Sequence, residues 1–224
     1  MGACLESMLV EGAGELGVNL DKNQAARFLL YMELLKEWNE RINLTSIEED
    51  TDIVIKHFID SLSILPVILS YYRANCANNH AGTTGTCSAN GKDAAWTCGV
   101  NSPGTYCEGG VNTTEVNTTE PRGTGILNTY ETRESRKRIS LIDIGSGAGF
   151  PGIPLKIACE NLDVTMIDAV EKKVKFLEEC IGRLKLGEIK ALHGRAEDYG
   201  QNPSYRERFD VCTARAVAYL PVLL

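Results

Sequence analysis

Residues 139–152 read I-S-L-I-D-I-G-S-G-A-G-F-P-G, and they decide the fold. The stretch opens as a short apolar run with β-branched character, passes Asp143 and then breaks into Gly145, Gly147, Gly149 and Gly152. An apolar helical pattern follows at Ile153, Leu155, Ile157 and Ala158. The order predicted is strand, glycine-rich turn, helix. Glycine tolerates positive φ and lets a backbone approach a ligand closely. Pro151 suits a first helical turn, where its missing N–H is no loss. The helix start is expected to present free N–H groups and the positive end of the helix dipole. The stretch therefore predicts a nucleotide-type cofactor loop.

Working outward, strand and helix patterns alternate downstream. Residues 163–169 form an apolar strand ending near Asp168, and 171–186 repeat Val174, Leu177, Ile181 and Leu184 on one helical face. A third strand covers 188–193, followed by Gly194, Arg195, Ala196, Glu197 and Asp198; a fourth covers 209–213, followed by Arg215. That alternation predicts an α/β protein with a doubly wound, Rossmann-like parallel sheet. The apolar ending 219–224 has no cap or polar close, and four strands leave a bare sheet edge. The sheet is thus expected to be C-terminally truncated.

Upstream, residues 1–72 read as a helical subdomain. A short helix is expected over 5–18, its propensity lowered by Gly12, Gly14 and Gly17. Asp21 then stands as N-cap to a long helix whose stripe is Phe28, Met32, Leu35, Trp38 and Ile42. Trp38 is assigned to the core rather than to base stacking. Ser46 or Thr51 is expected to cap a further helix that ends before Pro66. His57 and Asp60 share a face of it, three residues apart, which favours a local hydrogen bond over a metal or acid/base pair. Residues 73–138 differ: 29 of these 66 are Gly, Thr or Asn and only five are Val, Ile or Leu, with V-N-T-T-E repeated at 111–115 and 116–120. Too little apolar area is available there to offset ordering entropy, so a low-complexity, disordered insertion is expected. Residues 139–224 make up the cofactor domain.

Charge is distributed unevenly. Residues 1–72 hold five basic and twelve acidic side chains, 73–138 seven and six, and 139–224 eleven and twelve. The net charge of −7 argues weakly against a nucleic-acid partner but leaves a local basic face open. Eight cysteines include no C-x-x-C pair, so reduced thiols are expected and no metal site. The N-terminus has no basic region typical of a signal peptide, and the apolar runs fall short of the ~20 residues that span a bilayer. A cytoplasmic protein with no membrane partner is expected.

The choice of cofactor rests on three positions. Gly147 to Gly152 satisfy G-x-G-x-x-G, which also fits a dinucleotide fingerprint. Asp168, at the end of the second strand, suits a ribose diol, present in both NAD and S-adenosylmethionine. Asp143 would repel a pyrophosphate yet could pair with a sulfonium or amino group, and Ala196-Glu197 follow the third strand, where an adenine edge would lie. The pattern favours S-adenosylmethionine, with NAD as the alternative.

Several motifs together resemble the bacterial 16S ribosomal RNA guanine-N7 methyltransferases. They are L-K-E-W-N-E-R-I-N-L-T-S at 35–46, K-H-F-I-D-S-L at 56–62, L-I-D-I-G-S-G-A-G-F-P-G-I-P-L at 141–155, K-K-V-K-F-L at 172–177, G-R-A-E at 194–197 and F-D-V-C-T-A-R-A at 209–216. The resemblance implies a class I methyltransferase sheet and a cofactor site of Gly145 and Phe150 on the turn, Asp168 at the ribose, Ala196 and Glu197 at the adenine, and Arg215 at the methyl donor. It implies a monomer acting on 16S ribosomal RNA or the 30S subunit. Guanine N7 carries a free lone pair, so no catalytic base is assigned. A cofactor-binding remnant without activity and an NAD-dependent oxidoreductase are the competing functions.

Overall fold

The computed structural model describes residues 2–79 and 138–215. The repeat at 111–120 and the ending at 219–224 lie outside the described residues, as does the greater part of the 73–138 segment.

Four helical stretches build the N-terminal part. Helix α1 covers Gly2–Glu15. Helix α2 covers Lys22–Ile42, capped by Asp21 in a full capping box with Gln24. The Gln24 amide also donates to the carbonyls of Ile157 (2.9 Å) and Ala158 (3.1 Å), so this helix start is tied to the C-terminal part. A third helical stretch begins as α3 (Asp50–Ile53), passes through a π-helical turn at Val54–Ile59 and ends as α4 (Asp60–Leu62). Its N-cap is Glu49, without a side-chain bond, and not Ser46 or Thr51. Instead, the Asp50 carboxylate holds Lys36 at 2.6 Å and anchors the start to α2. Pro66 does not end the helical region: α5 (Leu65–Asn79) opens with it in the first turn and continues into the stretch expected to be disordered.

The window 50–72 reaches a mean hydropathy of 1.7, enough by length and composition to cross a bilayer and more than the apolar runs suggested. Part of it is spent on the protein's own core, where Ile53, Val54, Phe58, Leu62, Leu65 and Ile68 are buried, while Ile55, Val67 and Tyr71 are exposed.

The C-terminal part alternates strand and helix as expected: β1 (Ile139–Ile144), α6 (Gly152–Ala158), β2 (Leu162–Asp168), α7 (Glu171–Leu184), β3 (Ile189–His193), α8 (Ala196–Gln201) and β4 (Val211–Ala214). The strands are parallel in the order β3-β2-β1-β4, so the chain reverses its direction across the sheet at β1. In such sheets ligands bind beyond the carboxyl ends of the strands, at the reversal. Helix α2 packs on α6 and α7, and α4 packs on α6, so the helical part and the sheet share one core. The core joins Phe28, Tyr31 and Phe58 to Phe150, Ile153 and Phe176. Trp38 lies at its border against Phe176, ring centroids 5.7 Å apart, which agrees with the packing role.

Candidate cofactor site

The predicted site residues fall along one edge of the sheet. Ala196 and Glu197 follow β3, Asp168 ends β2, Gly145 follows β1 and Arg215 follows β4. Parallel strands bring all four carboxyl ends to the same side, so chain positions 70 residues apart meet there.

The glycine turn is fixed by its own hydrogen bonds. Gly145, Gly147 and Gly149 have φ of 66°, 57° and 93°. The N–H groups of Gly145 and Ser146 donate to Ile167 O (2.8 and 3.1 Å), while those of Gly149 and Phe150 donate to Ser146 O (2.7 and 3.2 Å). Gly147 N–H donates to Asp168 Oδ2 at 2.8 Å, and the other carboxylate oxygen accepts from Val170 N–H at 2.8 Å. Asp168 thus braces the turn. It is not the N-cap of α7, which is Val170. From the helical side, the Tyr31 hydroxyl donates to Ala148 O. A Cβ on Gly149 would meet Ile153 Cδ1 at 2.6 Å and the Tyr31 hydroxyl at 2.8 Å, so only glycine fits this approach.

One expectation is corrected. The start of α6 does not offer free N–H groups. Gly152 N–H points at Asp143 Oδ2 (3.4 Å), Ile153 N–H donates to Gly149 O (2.8 Å), Leu155 N–H donates to Pro151 O (3.1 Å), and Pro151 and Pro154 have no N–H. The causes are the turn's own carbonyls and two prolines, together with Asp143, whose carboxylate lies at the positive end of the short helix. Asp143 is fully buried and also accepts from the Thr213 hydroxyl at 2.8 Å, so it links β1, β4 and α6 and does not face a ligand's sulfonium or amino group. Burial pushes its carboxyl up to about 6, against the opposing hydrogen bonds of Thr213, Ser146 and Gly152.

Arg215 reaches back to the helical part. Its Nη1 donates to Asp60 Oδ2 at 2.9 Å, its Nη2 meets His57 Nδ1 at 3.2 Å, and its guanidinium lies 5.0 Å over the Phe150 ring. His57 stacks on Phe150 with centroids 4.4 Å apart and bonds Thr45 Oγ1 through Nε2 at 2.8 Å. The expected local bond between His57 and Asp60 is replaced by this convergence on Arg215. Phe150 is buried, its ring enclosed by His57, Tyr31, Phe58 and Arg215. Ala196 and Glu197 open α8, with Glu197 exposed; the strand end before them is held by Gly194 N–H donating to Asp168 O at 3.1 Å. Sequence reasoning missed His57 and Asp60 as partners of Arg215, and Thr45 as the partner of His57. Their motifs, N-L-T at 43–45 and K-H-F-I-D at 56–60, were visible, but nothing in the sequence said that they face residue 215.

A parallel sheet with a glycine turn after β1 and helices packed against it defines an α/β protein of the Rossmann-like class. The particular family follows from comparison: the profile of GidB, rRNA small subunit methyltransferase G, matches residues 24–77 and 124–224, and the chain belongs to that family. The protein named Ribosomal RNA small subunit methyltransferase G of Acetivibrio thermocellus is 39% identical over 98% of this chain and 64% of its own length. The protein of the same name from Alkaliphilus oremlandii is 34% identical over 98% of this chain and 65% of its own length. The chain therefore spans about two thirds, or slightly less, of the relatives that it matches.

Proposed function

We propose that the chain binds S-adenosylmethionine on the carboxyl edge of its sheet and serves the transfer of a methyl group to N7 of a guanine in 16S ribosomal RNA, in the cytoplasm and as a monomer. The observation that carries the choice of cofactor is the occupied start of α6. A dinucleotide needs free N–H groups for its pyrophosphate. Here Asp143 and the turn's own carbonyls take those donors, so a pyrophosphate would find none of them free. S-adenosylmethionine carries no phosphate, so the same loop suits it.

The residues would divide the work as follows. Gly145 and the main chain at Phe150 would form the floor under the methionine part. The Phe150 ring supports Arg215 from within the core. Asp168 would accept from the ribose hydroxyls while still bracing Gly147. Ala196 and Glu197 would flank the adenine. When bound, the cofactor supplies an electrophilic methyl group on a sulfonium. Guanine N7 already presents its lone pair in the ring plane, so no residue has to remove a proton, and positioning and electrostatics supply the catalysis. Arg215, with Asp60 and His57 fixing its guanidinium, would meet the guanine or an adjoining phosphate.

Titration calorimetry compares S-adenosylhomocysteine with NAD. Binding of the first alone is expected; binding of NAD alone would return the site to the oxidoreductase reading.

A further inference from the structure

We propose that His57 is a positioning residue for Arg215, acting as a neutral hydrogen-bond acceptor that sets the direction of the guanidinium across the Phe150 ring. The proposal rests on the reading of Arg215 as part of the transfer site.

The assignment follows from donor counting. A guanidinium has only donors, so His57 Nδ1, 3.2 Å from Arg215 Nη2, must present its lone pair. A neutral imidazole then carries its proton on Nε2, which donates to Thr45 Oγ1 at 2.8 Å. That oxygen also accepts from Ile47 N–H at 3.1 Å, and Thr45 N–H is held by Asn39 Oδ1 at 2.8 Å, so the acceptor is fixed in turn. The chain of bonds runs from α2 through the 43–47 loop and the π-helical turn to the residue after β4. π-Turns inside helices occur often at functional positions.

The guanidinium has two side-chain holders of different kinds. Asp60 gives charge at a half-exposed position, and His57, buried at 8% exposure, gives direction. The charged groups that act on His57 are Arg215 from beyond β4 and Asp60 on its own helix, with the Lys56 backbone beside the ring; Arg215 in turn acts on Tyr31 of α2 and Asp143 of β1. Burial and the Arg215 charge hold the imidazole down at about 4, against Asp60. A protonated His57 would turn an N–H toward the guanidinium and release it.

Two substitutions separate this role from packing. His57→Asn retains an acceptor oxygen near the Nδ1 position, and His57→Ala removes it. In methyl transfer to 30S particles, His57→Ala is expected to lose on the order of tenfold or more in kcat, the worth of a hydrogen bond to a charged group, with S-adenosylhomocysteine affinity within about threefold. His57→Asn is expected to recover most of that loss. The second measurement needs no activity: side-chain nitrogen NMR of the full chain is expected to show an unprotonated Nδ1 and protonated Nε2 at neutral pH, with the titration midpoint rising in Arg215→Ala. Equal loss in the Asn and Ala variants, a proton on Nδ1, or a midpoint unmoved by Arg215→Ala would overturn the proposal. If wild-type chain transfers no methyl group, the reading of the site fails, and the NMR result still decides whether His57 holds Arg215.

Discussion

Single residues carry the most selective consequences. Gly149 and Gly147 both adopt positive φ, but only Gly149 is crowded. Gly147→Ala is expected to cost about 1 kcal/mol for its left-handed backbone. Gly149→Ala adds overpacking against Ile153 and Tyr31 and is expected to cost at least about 2 kcal/mol, read from urea midpoints. Arg215→Ala is expected to abolish methyl transfer and to leave S-adenosylhomocysteine binding nearly unchanged; parallel loss of both, measured by calorimetry and radiolabel transfer, would make Arg215 a cofactor anchor only. Asp143 has a definite pH signature. Its carboxyl is raised from 3.8 to about 6 in the fold, so its contribution is full below the lower value and is lost as pH rises through the higher one. Comparing melting temperatures, wild type is expected to lose ground to Asp143→Asn across that window. His57, lowered from 6.5 to about 4, runs the other way: its contribution is present above 6.5 and is lost as pH falls toward 4. A wild-type protein compared with His57→Asn is therefore expected to weaken over that second window.

At the scale of elements, the capping box of α2 does two jobs. Asp21 satisfies the helix start and accepts from Gln24 N–H at 2.7 Å, while the Gln24 amide reaches the end of α6. Asp21→Ala is expected to cost about 1 kcal/mol. Gln24→Ala is expected to cost more, because it also leaves the carbonyls of Ile157 and Ala158 without this donor; chemical denaturation of the two variants checks the order. The cap at Asp21, the β1–α6 unit and the apolar stripe of α2 were legible because each is a local pattern with one dominant cause. What escaped was non-local. The N-cap at Glu49 was hidden because an ion pair from Lys36 of α2 replaces the side-chain cap. The start of α6 looked open in sequence, since nothing in G-S-G-A-G-F-P-G says that Asp143 folds back onto Gly152. The meeting of His57 and Asp60 with Arg215 depends on packing the 43–62 region beside the end of β4, across more than 150 residues of chain.

In the whole molecule, the helical part and the sheet share one core, and the proposed site lies where they meet. Arg215 belongs to the sheet by sequence but is held by the helical part, and Tyr31 of α2 reaches the glycine turn. The chain covers 64% of the length of its Acetivibrio thermocellus relative, so its own capacity for the reaction is the point to test. The direct measurement is transfer of a radiolabelled methyl group from S-adenosylmethionine to 30S particles that lack the modification, followed by nucleoside analysis. Label is expected in N7-methylguanosine from 16S ribosomal RNA with wild-type chain and none with Arg215→Ala, which still binds S-adenosylhomocysteine. Label in another nucleoside, or no transfer by wild-type chain that binds the cofactor, would contradict it.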